Sequence, residues 1–254
     1  MINRYGNAFG ISLISLVVAI GGLPGLASAV TLNVPSQYPT LSAALDAAGP
    51  GDVVVLAPGR YQEHGLTVPS GVIIRGTGQI PQDVILDGAW KGRILVLESL
   101  AETVTIENLL FMNGQAQGVS NYDRSGGAIF VSNSSVALKN CVFSGNVADA
   151  HGGAVRLNAS SGTIISCAFY ANSAPDGGGG ALDVSYDSSP LVRDCTFQAN
   201  TASWGGAMSC RGGSSPRVEN SNLTGNMATG AQGFGGGVFA DTGSYPDLLN
   251  TLVV

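Results

Sequence analysis

A motif that returns about every 26 residues restricts this chain to folds built by stacking copies of one unit. Gly-Gly-Ala occurs at residues 126–128, 152–154, 179–181 and 205–207, and a degenerate Gly-Gly-Gly copy follows at 235–237. Between the copies lies a second motif, an apolar residue followed three residues later by asparagine: Phe143 and Asn146, Phe169 and Asn172, Phe197 and Asn200, Leu223 and Asn226. Two motifs that alternate in step indicate a repeat architecture.

Within each repeat the apolar residues recur at a period of two, which is typical of strands and not of helices. After each Gly-Gly-Ala the inward pairs are Ile129 and Val131, Val155 and Leu157, Leu182 and Val184, Met208 and Cys210, Val238 and Ala240. Three short strands per repeat cannot close a core by themselves, but copies stacked about 4.8 Å apart can. The pattern therefore predicts an all-β, right-handed parallel β-helix with three sheets, because parallel crossover connections are overwhelmingly right-handed.

Stacking places every inward residue over its own copy in the next turn, so the chain should form structural columns. The expected columns are Phe143, Phe169 and Phe197; Cys141, Cys167 and Cys195; and Asn146, Asn172, Asn200 and Asn226. Asparagine amides at a bend can satisfy backbone groups that a turn leaves unpaired, so we favour a structural role over catalysis for them. We expect free buried thiols in the cysteine column, because directly stacked residues suit disulfide geometry poorly.

Composition excludes several classes of protein. Only 11% of the residues are charged and 37 are glycine, which argues against a coiled coil or a helical bundle. The 44% hydrophobic share argues against disorder. The formal net charge is −6 and no run of lysine or arginine occurs, so we expect no nucleic-acid partner.

Residues 1–29 are typical of an export signal. Arg4 supplies the positive start, an apolar stretch follows, and Ala27-Ser28-Ala29 forms a small-residue cleavage site. A membrane anchor is the alternative, but glycines and Pro24 interrupt the apolar stretch, which is short for a spanning helix. We therefore expect an exported protein, located outside the cell, at its surface or at the outer membrane, and not integral to the membrane apart from this segment.

The rest of the chain divides into two predicted parts. Residues 30–100 should hold a capping helix, which Thr40 can start and Gly49-Pro50-Gly51 ends, followed by the first turns of the β-helix. Residues 101–254 should form the repeat β-helix, giving about eight turns from residue 50 onward. Because the sequence stops at Leu252-Val253-Val254 without a polar cap, we expect truncation of a longer protein, with coverage by a partner as the alternative.

The repeat motifs carry a family resemblance. Gly126-Gly127-Ala128-Ile129, followed by Phe143-Ser144-Gly145-Asn146, resembles the paired GGAI and FxxN tetrapeptides of the chlamydial polymorphic outer-membrane proteins. That resemblance implies a surface-exposed β-helix associated with adhesion. The opening around Tyr38-Pro39-Thr40-Leu41 and Pro58-Gly59-Arg60-Tyr61 is similar to that of pectin-lyase-like proteins, which implies the same fold superfamily.

Aligned repeats bring a few charged residues together on the outward face. Arg156 should stack beside Asp183, with Asp187 and Arg211 nearby, and these are the candidates for a polysaccharide lyase site. A solvent-facing or structural ion pair is the alternative that we favour, because opposite charges one turn apart stabilise a ladder. Asp176, Asp183 and Asp187 could hold Ca²⁺, but solvated turn residues are the interpretation that we prefer, so no cofactor is expected.

Aromatic residues expected on the outer surface could contact sugars. The candidates are Tyr170, Tyr186, Trp204 and Phe130, with Arg211 as a polar partner. Our first hypothesis is a secreted or cell-surface repeat protein, not catalytic, that presents a long face for adhesion or carbohydrate contact. The alternative is a polysaccharide lyase or a related carbohydrate-active enzyme of the pectin-lyase-like type.

Overall fold

Parallel strands coil around one axis in the computed structural model, which describes residues 28–231, 233–241 and 243–254. The predicted export signal therefore lies almost wholly outside the described residues. About eight turns stack in register, so each strand pairs with its own copy one turn away; Phe143, for example, is opposite Phe169. The predicted all-β parallel β-helix is confirmed.

Four sheets run along the axis. The nine-stranded sheet comprises Thr31–Val34, Val53–Leu56, Ile73–Gly76, Val104–Glu107, Ser135–Lys139, Ser161–Ile165, Leu191–Arg193, Arg217–Glu219 and Asp247–Leu249. The eight-stranded sheet comprises Gly59–Tyr61, Val84–Asp87, Leu110–Met112, Val142–Ser144, Ala168–Tyr170, Thr196–Gln198, Asn222–Thr224 and Leu252–Val253.

The other two sheets complete each turn. The seven-stranded sheet comprises Leu66–Thr67, Leu95–Glu98, Ile129–Ser132, Val155–Asn158, Leu182–Ser185, Met208–Arg211 and Val238–Ala240. The five-stranded sheet comprises Gln115–Ala116, Val147–Ala148, Ser173–Gly178, Thr201–Trp204 and Met227–Ala228. This fourth sheet was not expected; it forms where the chain after each FxxN asparagine stays extended before the next Gly-Gly corner.

An α-helix, Leu41–Ala47, covers the start of the core. Thr40 caps it by accepting a hydrogen bond from the Ala43 amide at 3.1 Å, and Leu41, Ala44 and Leu45 are buried against the first two strands. A strand at Thr31–Val34 precedes the helix, so the β-helix begins before residue 50, earlier than the sequence indicated. A 3₁₀ turn occurs at Pro81–Asp83. No helix in the described part of the chain is long and apolar enough to cross a membrane.

The core is built from columns of like side chains. Phe111, Phe143, Phe169 and Phe197 stack with ring centroids 4.6–4.9 Å apart and nearly parallel planes. All four cysteines are buried as free thiols, and burial raises the pKa of the Cys167 thiol. Stacked in this way, each apolar side chain is removed from water by its own copies above and below.

Asparagine side chains form a hydrogen-bonded ladder at the bend after the phenylalanine column. The Asn172 amide nitrogen donates to the Phe143 carbonyl at 3.0 Å and to Oδ1 of Asn200 at 3.0 Å. Oδ1 of Asn172 accepts from the backbone and the side chain of Asn146, both at 3.0 Å. Every buried amide in the ladder is therefore satisfied, which gives these residues a structural reason to recur.

Candidate functional site

The outward face of the seven-stranded sheet is largely covered, contrary to expectation. Phe130, Arg156 and Asp183 point outward in one column, yet they are only 3%, 4% and 0% exposed. The segment 117–126 covers one end of this face: Tyr122 packs edge-on against Phe130 at 4.6 Å, and the Ser125 hydroxyl is 2.7 Å from Nη1 of Arg156. The Arg156–Asp183 ion pair is therefore buried and structural, one of the two forms that the sequence favoured, and not solvent-facing. Phe130, which was expected on the outer surface, is not an exposed aromatic residue.

Asp183 lies at the centre of a buried charge cluster. Its carboxylate is 3.4 Å from Nε of Arg156, and it accepts hydrogen bonds from Nε and Nη2 of Arg211, both at 3.2 Å. The Ser209 hydroxyl donates a further hydrogen bond. Burial acts to raise the pKa of Asp183, but the two guanidinium groups and His151 outweigh it and hold that pKa below its usual value. Asp183 is therefore an ionised carboxylate whose oxygens are already engaged.

His151 lies at the corner beside this cluster. Its Nδ1 accepts a hydrogen bond from the Gly178 amide at 3.1 Å, and its ring lies 6.1 Å from that of Trp204. Burial lowers its pKa from 6.5 to about 4; Asp183 opposes the shift, and Arg211, Arg156 and Arg124 reinforce it. The imidazole is consequently neutral at pH 7. Its position directly before Gly152 places His151 at a repeat corner.

A groove continues along the same face, across the strands that follow Phe130. It consists of hollows of about 380, 140 and 480 Å³. Tyr186 lines the first and second hollows, and Arg211 and Asp241 line the second and third. Because neighbouring hollows share side chains, they form one path, which we call the outer groove. Its walls include Tyr122 at one end and Trp204, Phe234 and Phe239 at the other.

The structure brings together only some of the residues that the sequence selected. Tyr186, Trp204 and Arg211 line the outer groove, with Tyr186 60% exposed. Tyr170 lies on the eight-stranded sheet, away from them. Asp187 follows the strand that carries Asp183, but it lies in an exposed turn where its amide donates to the Gly212 carbonyl, and it is not part of the charge cluster.

The proposed calcium ligands are also separated. Asp176 is exposed and forms an ion pair with Arg124 at 2.6 Å, whereas Asp183 is buried among arginines. Within the described ranges, no three histidine, cysteine, aspartate or glutamate side chains lie close enough to hold a metal ion. Asp176, Asp183 and Asp187 therefore do not form a site together.

Two aromatic residues of the groove, Tyr122 and Phe234, were missed by the sequence analysis. Both lie in connecting segments that precede a Gly-Gly corner and that have no equivalent in every repeat. Alignment of the repeats identifies side chains that recur, so it gives no signal for inserted residues.

The comparison with protein-family models agrees with this architecture. A family model described as "Right handed beta helix region" matches residues 70–252. Among solved structures, the deglycosylated pectin methylesterase from Aspergillus niger is similar at 14% identity, covering 90% of this chain and 86% of that one, with a TM-score of 0.41. The rice weevil pectin methyl esterase is similar at 12% identity, covering 88% of each chain, with a TM-score of 0.35. No curated protein matches the sequence significantly.

Proposed function

The chain belongs to the right-handed β-helix family, and from that premise we propose that it is an exported protein that binds carbohydrate along the outer groove without catalysing a reaction. The exported protein would be secreted or displayed at the cell surface or outer membrane. The resemblance of its repeats to those of surface adhesins supports display of this kind. No nucleic-acid role is proposed, because the chain carries no basic run.

The observation that carries this proposal is the continuity of the outer groove. From the strand Ile129–Ser132 to the strand Val238–Ala240 it crosses five strands of one parallel sheet, which is about 19 Å at the usual spacing. An extended polymer needs such a path rather than a closed cavity. Exposed aromatic rings along the path offer flat apolar surfaces, and Arg211 and Asp241 offer charged hydrogen-bonding groups.

The absence of catalysis in this proposal rests on the state of the charge cluster. Asp183 is completely buried and is held by Arg156, Arg211 and Ser209, so it has no free oxygen with which to remove a proton from a substrate. A general base must come within hydrogen-bond reach of the proton that it takes. The cluster instead fixes the arginines that form the floor of the groove.

Binding can be tested by affinity electrophoresis of the purified chain in gels that contain neutral or acidic polysaccharides. We expect retardation in at least one gel, and Tyr186→Ala should weaken that interaction roughly 10-fold, which corresponds to about 1.4 kcal/mol. Tyr170→Ala is the matched control, because Tyr170 is an exposed tyrosine on a different sheet. Equal losses in the two variants, or no retardation in any gel, would contradict the proposal.

The enzymatic alternative has its own test. The chain is incubated with uronic-acid polymers and Ca²⁺, and unsaturated product is followed by ultraviolet absorbance. We expect no product. Product that disappears in Arg156→Ala while the variant stays folded would establish a lyase and overturn the non-catalytic proposal.

A further inference from the structure

The largest hollow of the outer groove, about 480 Å³, has aromatic walls from three different elements. Trp204 ends a strand of the five-stranded sheet, Phe239 lies in the last strand of the seven-stranded sheet, and Phe234 comes from the segment that joins Met227–Ala228 to that last strand. The Trp204 and Phe239 rings are 6.2 Å apart, and the Phe234 and Phe239 rings are 6.0 Å apart. We call this hollow the Trp204 pocket.

Trp204 offers the pocket an apolar surface, because its polar atom faces the protein. Nε1 is buried and has no hydrogen-bond partner among the described residues. It lies against Gly178, where an added Cβ would come within 2.2 Å of it. Because glycine has no side chain, the indole can pack directly against the strand at Gly178. The remaining ring surface suits the apolar C–H face of a pyranose, whose hydrogens meet the negative face of an aromatic ring.

The rim of the pocket carries one charged donor and one charged acceptor. Arg211 uses Nε and Nη2 for Asp183, so Nη1 remains for a ligand. Asp241 accepts from the Gly212 amide at 3.1 Å and from the Ser244 hydroxyl at 2.8 Å, and ionised carboxylates have capacity for further donors. A sugar hydroxyl both donates and accepts, so neighbouring hydroxyls can satisfy the two rim groups at once.

This mixed rim distinguishes neutral from acidic sugars. The charge of Arg211 is already paired with Asp183, whereas Asp241 accepts from the neutral Gly212 amide and Ser244 hydroxyl and pairs with no cation among the described residues. The uncompensated charge on the rim is therefore negative and repels a uronate carboxylate, whereas a neutral hexose meets no such penalty. We infer that the Trp204 pocket binds a neutral hexopyranose unit, stacked on the aromatic walls, with its hydroxyls between Arg211 and Asp241. The inference rests on the proposed carbohydrate function and specifies its ligand class. A volume of about 480 Å³ lies in the range of small-ligand pockets.

Intrinsic fluorescence can report on this pocket directly. The chain has two tryptophans, so Trp90→Phe leaves Trp204 as the only indole. In that background, neutral oligosaccharides of glucose, galactose and mannose are titrated beside galacturonate oligosaccharides of the same length. We expect a saturable change in Trp204 emission with at least one neutral series and a roughly 10-fold or greater weakening for the uronates.

Two variants separate recognition from folding. Trp204→Leu, made in the otherwise unaltered chain and followed by calorimetry, should weaken neutral-sugar binding roughly 10-fold or more. Asp241→Asn keeps an acceptor for Gly212 but removes the charge, so uronate affinity should rise relative to neutral-sugar affinity. If Asp241 had only a structural role, its substitution would not change this selectivity. The measurement also remains possible if Trp204→Leu fails to fold.

The outcomes are distinguishable. Neutral-sugar binding with the expected selectivity shift supports the inference. Uronates that bind at least as tightly as neutral sugars, an unchanged selectivity in Asp241→Asn, or sugar binding that leaves Trp204 emission unaffected would overturn it, while the proposed carbohydrate function stands. If no sugar or polysaccharide binds the chain at all, the proposed function itself fails.

Discussion

At Asp183 an ionised carboxylate is removed from solvent on the outward side of a sheet, a position where the repeat pattern alone predicts exposure. It is tolerated there because Arg156, Arg211 and Ser209 replace its hydration. Removal of one partner from a buried ion pair leaves an uncompensated charge. The loss of stability is far larger than when an exposed ion pair is broken. The charge cluster is therefore a fixed part of the groove floor and not a mobile surface ladder.

Alternation of apolar residues predicts which side of a strand faces the core, and it placed residues such as Val155 and Leu157 correctly. It cannot predict whether the outward side is covered. At Phe130 the cover is supplied by Tyr122, which belongs to a connecting segment outside the repeat. The ladder residues and the grouping of Arg156, Asp183 and Arg211 could therefore be predicted from the sequence. The burial of Phe130 and the aromatic side chains of Tyr122 and Phe234 could not, because they depend on inserted segments.

The buried imidazole of His151 makes the folded state sensitive to acid. The pKa of His151 is about 4 in the folded chain and 6.5 in the unfolded chain. Between these two pH values the unfolded chain binds a proton at this residue and the folded chain does not. The free energy of unfolding should consequently fall as the pH drops from 6.5 towards 4, by up to about 3 kcal/mol from this residue.

Urea unfolding at several pH values between 7 and 4 measures this slope. His151→Asn should flatten it, because asparagine keeps an acceptor for the Gly178 amide but does not titrate. His64→Asn is the matched control at the other histidine, whose side chain is exposed, and should leave the slope in place. An unchanged slope in His151→Asn would show that other groups control the acid sensitivity.

Among the elements, the Gly-Gly corner shows two different demands for glycine. In the corner at residues 179–181, Gly179 supplies the positive φ of the tight turn, at +71°. Gly180 is required for space: a Cβ there would come within 2.2 Å of the Gly206 carbonyl oxygen and 2.5 Å of the Thr201 carbonyl oxygen. Stacked corners approach each other too closely for any side chain.

Substitution by alanine separates these two demands. Gly145 has φ of +63° with no atom within 4 Å of an added Cβ, so Gly145→Ala should cost about 1 to 2 kcal/mol from backbone strain alone. Gly180→Ala must displace the backbone of the next turn and should cost more than about 4 kcal/mol. Urea midpoints and the yield of soluble protein compare the two. Similar losses would mean that the corners can separate at little cost.

For the whole molecule, stability is a sum over turns that contact only their neighbours, so the first and last turns need protection. The helix Leu41–Ala47 protects the first turns, and the strand Thr31–Val34 completes the sheet beneath it. The strand Thr31–Val34 begins at the second residue after the predicted cleavage site. The Val30 amide already donates to Oδ1 of Asp52 at 2.8 Å.

This placement supports a prediction about processing. If export removes residues 1–29, the new α-ammonium group forms at Val30, beside the Asp52 carboxylate, so cleavage leaves the first strand intact and adds a favourable charge pair at its start. The chain recovered from outside the producing cells should begin Val30-Thr31-Leu32, as read by N-terminal sequencing.

Ala29→Tyr should block cleavage, because the site requires small residues, and should leave the longer chain associated with the cells. Exchange of the exposed Ser36 for tyrosine is the control for a bulky change nearby, and it should be processed normally. Recovery of the unaltered chain only inside cells, with Met1 or Ile2 as its first residue, would contradict export and remove the basis for a role at the cell surface.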